Sequence, residues 1–215
     1  PGDAGGSVGS ASFFLKNNYH IKPTVKNYAF LGNSYSNEHI KEAIIQKNLD
    51  NKFKVELLSD EDLYKETAKL IASAKILGWF QDKMEWGPRA LGNRSILADA
   101  RNKDVRNIIN SKIKRRESFR PFAPSILKEH TKEWFEFDNS VPYMSEVYLI
   151  NSEKRKLIPG VTHVDGTGRL QTVSKESNPR YYKLINEFFI LTKVPLILNT
   201  SFNENEPIVN KPVEA

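Results

Sequence analysis

Glycines and arginines are concentrated between residues 81 and 99, in a composition suited to binding a small anion. The segment reads QDKMEWGPRALGNRSILAD and places Gly87-Pro88-Arg89 and Gly92-Asn93-Arg94 shortly after an apolar run. Glycine lets a backbone approach a ligand closely, and the guanidinium fork of arginine matches phosphate or carboxylate. These residues could therefore cradle an oxyanion, although a turn with solvated arginines would give the same pattern.

Positive charge is concentrated in the same part of the chain. Residues 89–120 contain ten lysines and arginines against three acids, Asp99, Asp104 and Glu117, which leaves a net charge of +7. The whole chain of 215 residues carries +6 at pH 7, so its excess positive charge is local. An anionic partner is therefore expected to bind in this window.

Three cations near the end of this window, Lys114, Arg116 and Arg120, are spaced by two and four residues. On an extended chain this spacing would place them on one face. Like charges on one face repel unless an anion lies among them, and Glu117 alone does not neutralise three cations. The spacing favours an anion site over a solvated surface.

Two other polar segments are candidate ligand contacts. Asn199-Thr-Ser-Phe-Asn203 follows the apolar run 195–198, where amides and hydroxyls either bind a ligand or cap a turn. His163-Val-Asp-Gly-Thr-Gly-Arg169 reads mainly as a structural turn that leads into a strand. Asp3, within a Gly/Ser-rich turn, could contact a metal or a phosphate.

Several function classes lack support in the sequence. The chain has no cysteine, no Walker motif, no Gly-x-Ser-x-Gly elbow and no His-Glu-x-x-His pair. No apolar run approaches the ~20 residues of a membrane helix, and a cytoplasmic location is expected. Aromatic residues near the basic window could stack on nucleic acid, but they are more often core residues. They are Trp79, Phe80, Trp86, Phe119 and Phe122.

The elements that would position these groups mix helices and strands without strict alternation, which predicts an α/β or α+β fold with a mixed sheet. A short helix ending near Leu15 is followed by a linker over 16–35. Further helices are expected over 37–48, 59–74, 129–137 and 179–192, with another after Asn102. Strands are expected over 52–57, 76–80, 95–98, 144–150, 169–173 and 195–198, with an extended segment over 121–127.

Four blocks, in this order, resemble the C-terminal half of the NodU/CmcH-type O-carbamoyltransferase family. They are Trp79 through Asp99, Lys114 through Pro124, His163 through Gln171 and Asn199 through Val209. The resemblance implies a YrdC-like domain over residues 36–215, with a twisted mixed sheet and flanking helices. It identifies residues 1–35 as the tail of a sugar-kinase/actin-like N-terminal domain plus a linker, so we expect a fragment of a longer protein.

The resemblance implies a reaction in two stages. The YrdC-like domain converts carbamoyl phosphate and ATP, a co-substrate, into carbamoyladenylate. The N-terminal domain, with a divalent metal ion such as Fe or Mg, then transfers the carbamoyl group to a hydroxyl of a small-molecule acceptor. The fragment alone is therefore not expected to carbamoylate a hydroxyl.

Residue roles follow from the family's matching positions. Carbamoyl phosphate and the developing adenylate are expected to bind six residues: Arg89, Lys114, Arg120, Arg169, Asn199 and Ser201. Among these, Lys114, Arg120 and Arg169 are expected to be catalytic. Asp3 matches a metal or nucleotide ligand of the N-terminal domain.

The chain departs from the family pattern at several positions. Asp82-Lys83 stands where the family has Gly-Arg, Ala100 where it has Pro, Gly168 where it has Ala and Asn205 where it has Gly. Lys83 keeps the charge but lacks the planar fork of arginine. If this corner contacts ATP, nucleotide affinity or choice is expected to differ.

Two alternatives to this interpretation stay open. A threonylcarbamoyl-AMP-type enzyme would need an amino-acid pocket. An RNA-binding YrdC-like module would bind with a steep salt dependence. The resemblance favours a small-molecule site over nucleic acid or a membrane, and it leaves a homodimer open.

Overall fold

A five-stranded mixed sheet lies at the centre of the computed structural model, which describes residues 5–22 and 29–215. The strands of the protein are Leu77–Phe80 (β1), Arg94–Ala98 (β2), Ala123–Leu127 (β3), Val147–Leu149 (β4), Thr167–Arg169 (β5), Gln171–Val173 (β6) and Leu196–Ser201 (β7). The order in the main sheet is β1-β2-β7-β3-β6, with β3 and β6 parallel and the other pairs antiparallel. A second sheet pairs β4 with β5. The predicted mixed sheet is confirmed.

The helices are Gly6–Tyr19 (α1), Asn37–Gln46 (α2), Asp60–Ala72 (α3), Val105–Ile108 (α4), Thr131–Trp134 (α5) and Pro179–Thr192 (α6). A π-helical turn, Ile109–Ile113, continues α4, and 3-10 turns occur at Lys128–His130, Arg155–Leu157 and Pro212–Glu214. Helices α3 and α6 pack together, and α6 also contacts β3 and β7. Across the described ranges, every helix is too short or too polar to span a bilayer.

The sequence signals at the starts of α3 and α6 explain why these two helices form where they do. Ser59 Oγ accepts the Asp62 amide at 3.2 Å, and acidic residues in the first turn of α3 favour the helix dipole. Asn178 Oδ1 accepts the Tyr181 amide, and Pro179 occupies the first turn of α6. The two helices bury Ile71 and Phe188 in the core that covers the sheet.

Some predicted elements are wrong. Residues 52–57 form no strand: they lie within the described chain but pair with no other strand, and Leu57 is 85% exposed. The predicted strand 169–173 is instead two strands in different sheets, separated at Leu170, whose amide donates to the Glu146 carbonyl. Strand β7 continues through Ser201 because β2 and β3 pair with its polar end.

The N-terminal elements contribute little to this core. Helix α1 continues past the predicted end at Leu15 to Tyr19, and neither α1 nor α2 has a fully buried residue. Ile45 of α2 is 73% exposed. The proposed division at residue 35 stays a prediction, and Asp3 lies outside the described residues.

Replacing Gly92 with alanine should destabilise the protein. Gly92 has a φ of 106°, and a Cβ at this position would overlap the ring of Tyr181. Backbone strain and overpacking together should cost about 2 kcal/mol or more in the free energy of unfolding, measured by urea denaturation. Gly9→Ala is the control, because nothing lies within 4 Å of its added Cβ. Equal stability of the Gly92→Ala variant and the wild type would contradict this packing.

Candidate anion-binding site

A cavity of about 120 Å³ lies between the 81–93 loop, the segment before β3 and the polar end of β7. Three of its lining residues are cations, Arg89, Arg116 and Arg169, and none of the described lining residues is acidic. Asn199 and Ser201 line it from β7, where alternate residues share a face of the strand. The structure thus gathers four of the predicted site residues, Arg89, Arg169, Asn199 and Ser201, around one positively charged space.

The two Gly-x-Arg units of the 81–99 segment have different roles. Arg89 lines the cavity, whereas Arg94 is fully buried. The Arg94 guanidinium donates to the carbonyls of Gln81 at 2.5 Å and Asp82 at 3.2 Å, and it lies 3.5 Å from the centroid of the Phe80 ring. Arg94 therefore stabilises backbone instead of cradling an anion, and that part of the sequence interpretation is wrong.

The expected alignment of Lys114, Arg116 and Arg120 on one extended face is also wrong. Lys114 ends the π-helical turn, and Arg115 has a φ of 44°, so the chain bends between Lys114 and Arg116. Of these three cations, Arg116 alone lines the cavity. Its Nε donates to Asn110 Oδ1 at 2.8 Å, which fixes the direction of the side chain.

Arg120 lies outside the cavity lining. Its Nε is 2.9 Å from Glu117 Oε2, and about half of its side chain is exposed. The expected role of Arg120 as a catalytic anion ligand stays a prediction. Arg116 was named among the three spaced cations but not among the six residues assigned from the family, because the spacing of cations along the basic window does not show where the chain bends.

Lys114 lies beneath the β7 end of the cavity. Its Nζ donates to Ser201 O at 2.5 Å, Ser201 Oγ at 3.1 Å, and Asn203 O and Oδ1 at 2.8 Å each. Burial, reinforced by Arg116 and opposed by Glu206, lowers the pKa of Lys114 to about 8. Lys114 thus holds Ser201 in place, and its predicted catalytic role would have to act through that hydroxyl.

Asn199 supplies an acceptor in need of a donor. Its Nδ2 donates to the carbonyl of Ala90 at 3.1 Å and to Gln171 Oε1 at 3.0 Å, so a flipped amide would set oxygen against oxygen. Gln171 is fixed in turn, because its Nε2 donates to the Leu91 carbonyl at 2.9 Å. Asn199 Oδ1 is left buried with no hydrogen-bond partner in the described chain. A ligand N–H would satisfy this oxygen.

The predicted turn at His163–Arg169 is confirmed. Asp165 Oδ1 accepts from the Thr167 amide at 3.0 Å and from Thr167 Oγ1 at 2.7 Å. His163 Nδ1 lies 3.0 Å from the same Thr167 Oγ1. Arg169 at the end of β5 is the residue of this turn that reaches the cavity. In residues 5–22 and 29–215, no three His, Asp or Glu side chains are grouped as metal ligands.

Comparison with known proteins identifies the family to which the chain belongs. The sequence profile described as Carbamoyltransferase C-terminus matches residues 68–215. A protein of Synechocystis sp. named only as uncharacterized is 41% identical over 240 residues, covering 100% of this chain and 39% of that protein. Nodulation protein NolNO of Sinorhizobium fredii is 48% identical over 165 residues, which cover 75% of this chain and 24% of that protein.

Nodulation protein NolO of Bradyrhizobium diazoefficiens is 45% identical over 165 residues, with 75% of this chain and 30% of that protein covered. The matches therefore span 24–39% of the length of these three curated relatives.

The buried Lys114 should leave a signature in the pH dependence of stability. Its pKa is about 8 in the folded protein against 10.5 ordinarily, so the unfolded state binds more protons between these values. Burying the cation lowers the free energy of unfolding. This destabilisation is fully present below pH 8 and disappears as the pH rises to 10.5. The free energy of unfolding of the wild type should therefore rise by about 1–3 kcal/mol relative to Lys114→Met across this window.

This difference can be measured by urea denaturation at several pH values. Lys112→Met, at an exposed position two residues earlier, controls for the loss of one positive charge. Parallel curves for the wild type and Lys114→Met would show that Lys114 is not buried as a cation.

Proposed function

Because the chain belongs to the Carbamoyltransferase C-terminus family, we propose that it is the carbamoyl-activating part of an O-carbamoyltransferase. In this proposal the cavity binds carbamoyl phosphate, and water cleaves its carbamoyl–phosphate bond to give carbamate and free phosphate. A carbamate oxygen then attacks the α-phosphorus of ATP, which forms carbamoyladenylate and releases pyrophosphate. The observation that carries the proposal is the cavity lining: Arg89, Arg116 and Arg169 surround a small space with no acidic lining residue. Such a space suits a compact dianion.

Both ends of carbamoyl phosphate would find matching groups on residues that line the cavity. The phosphate oxygens would accept hydrogen bonds from the arginines, whose forks suit this geometry. The carbamoyl amine would donate to Asn199 Oδ1, the buried oxygen with no partner in the described chain. Ser201, held by Lys114, would supply a hydroxyl beside the same ligand.

The protein's contribution to the chemistry would be positioning and charge neutralisation. Transfer of adenylyl or phosphoryl groups requires stabilisation of oxygens that carry developing charge, which fixed cations provide. ATP is much larger than carbamoyl phosphate, so it would bind with only its reacting phosphate near this small cavity. No step is assigned to a protein nucleophile.

Transfer to the acceptor hydroxyl would need more polypeptide than this chain contains. The curated relatives are at least twice as long, and the described residues offer no grouped metal ligands for the expected divalent ion. We assign the acceptor site and the metal to that additional sequence. A cytoplasmic location fits a reaction that consumes ATP.

Carbamoyl-phosphate-dependent release of pyrophosphate from ATP would test the activity, since forming an adenylate from ATP releases pyrophosphate. We expect Arg116→Ala and Arg169→Ala each to lower the rate about 100-fold, by analogy with loss of one donor to a developing oxyanion. Lys103→Ala, an exposed cation of the same basic window, is the matched control and should keep the wild-type rate. Full activity of both arginine variants would contradict the proposed site.

The Asn199 oxygen predicts discrimination between two similar ligands. Carbamoyl phosphate carries an amine where acetyl phosphate carries a methyl group, and only the amine can donate to Asn199 Oδ1. Isothermal titration of the wild type should give roughly 10-fold tighter binding of carbamoyl phosphate, the equivalent of about one hydrogen bond to a buried acceptor. Equal affinities would show that this oxygen does not contact the ligand.

A further inference from the structure

A carboxylate lies buried inside the loop that carries Arg89, although an anion site should exclude acids. Glu85 is 6% exposed, and it is not among the residues that line the cavity. We propose that Glu85 is a positioning residue: its carboxylate fixes the backbone that follows Arg89 and thereby sets the affinity of the anion site. This inference rests on the proposed function of that site.

The contacts of Glu85 are to backbone N–H groups on the far side of Arg89. Its Oε1 accepts from the amides of Leu91 and Asn93 at 2.7 Å each and from the amide of Arg94 at 3.2 Å. A carboxylate that accepts several N–H groups makes strong, charge-assisted hydrogen bonds. The bond between the Leu91 amide and Glu85 therefore closes the loop from Glu85 to Leu91, and Arg89 lies near the C-terminal end of this loop.

The carbonyl groups next to Arg89 are fixed from the opposite side. Asn199 Nδ2 donates to the carbonyl of Ala90 at 3.1 Å, and Gln171 Nε2 donates to the carbonyl of Leu91 at 2.9 Å. The peptide units that follow Arg89 are thus held by Glu85 through their N–H groups and by the cavity floor through their C=O groups. Few backbone arrangements satisfy both sets of bonds.

Arg94 complements the carboxylate. Its guanidinium binds loop carbonyls, as described above, while Glu85 binds loop amides, so the two buried charges together satisfy both kinds of backbone group. Burial raises the pKa of Glu85, opposed by its bonds to the amides of Asn93 and Leu91, and the nearby Glu85 charge opposes the lowering of the Arg94 pKa by burial. Removing the charge of Glu85 should therefore loosen the loop without placing a new group in the cavity.

The direct test is a double-mutant cycle on the affinity for carbamoyl phosphate, measured by isothermal titration. Glu85→Gln keeps the shape of the side chain, and we expect it to weaken binding about 10-fold. In an Arg89→Lys background, the same Glu85→Gln change should weaken binding less than 3-fold, because it acts through the arginine. Equal fold-losses in both backgrounds would overturn the proposal.

Asp99→Asn is the matched control. Asp99 is also a buried carboxylate, but it lies at the other end of β2 and binds Arg101 at 2.6 Å. Its loss should lower stability while leaving the affinity for carbamoyl phosphate within 2-fold of the wild type. A loss of affinity as large as that of Glu85→Gln would show that any buried charge has this effect, and would overturn a specific role for Glu85.

Hydrogen exchange without ligand separates this inference from the proposed function. In Glu85→Gln, the amides of Leu91 and Asn93 should exchange at least 10-fold faster, with Ile197 in β7 unchanged. Unchanged exchange at Leu91 and Asn93 would overturn the positioning role.

If the wild type binds neither carbamoyl phosphate nor inorganic phosphate, the proposed function of the cavity fails. The exchange result still decides what Glu85 does to the loop. If Glu85→Gln does not fold, Glu85→Asp, which shortens the reach by one methylene, enters both assays.

Discussion

Two buried side chains of opposite charge determine the shape of the loop on which the site depends. Glu85 accepts hydrogen bonds from amides that follow Arg89. Arg94 donates hydrogen bonds to carbonyls that precede Arg89 in the chain. An irregular loop has no helix or strand to satisfy its backbone groups, and unsatisfied groups in a protein interior are costly. Charged side chains can each satisfy several such groups at once. This arrangement lets the loop stay rigid while it presents Arg89 to the cavity.

Hydrogen-bonded groups without a carboxylate support the β7 side of the cavity, which keeps its charge positive. Asn199, Gln171 and Ser125 bond to one another, and Lys114 bonds to the hydroxyl and carbonyl oxygens of Ser201 and Asn203. A carboxylate in their place would stabilise the arginines but would compete with an anionic ligand. The cost falls on Lys114, whose pKa is lowered to about 8 because burial and the nearby Arg116 outweigh the attraction of Glu206. Stability is exchanged here for a buried acceptor, Asn199 Oδ1, and a positive field, as expected of a binding site.

The sequence predicted elements well where local signals were complete, and poorly where tertiary contacts decided. Helix α6 has the predicted bounds 179–192 because Asn178 caps it and Pro179 fits its first turn. Arg89 and Arg94 occur in the same local Gly-x-Arg pattern, so only the burial of one distinguishes them. The sequence does not show that Arg116 lines the cavity and Arg120 does not, because this difference depends on the bend at Arg115. The 52–57 segment has strand-like composition but no neighbouring strand. The roles carried over from the family for Lys114 and Arg120 stay predictions.

The central claim is that a small phosphate-bearing ligand binds among the loop of Arg89, β5 and the polar end of β7. Titration of the ¹⁵N-labelled chain with carbamoyl phosphate, followed by NMR, tests it directly. We expect saturable shifts that are largest for the amides of Ala90, Arg169, Thr200 and Ser201. The amides of Lys65 and Lys183, which line a separate groove between α3 and α6, should not shift. Saturable shifts confined to any other surface, or none at all in the folded chain, would contradict the account.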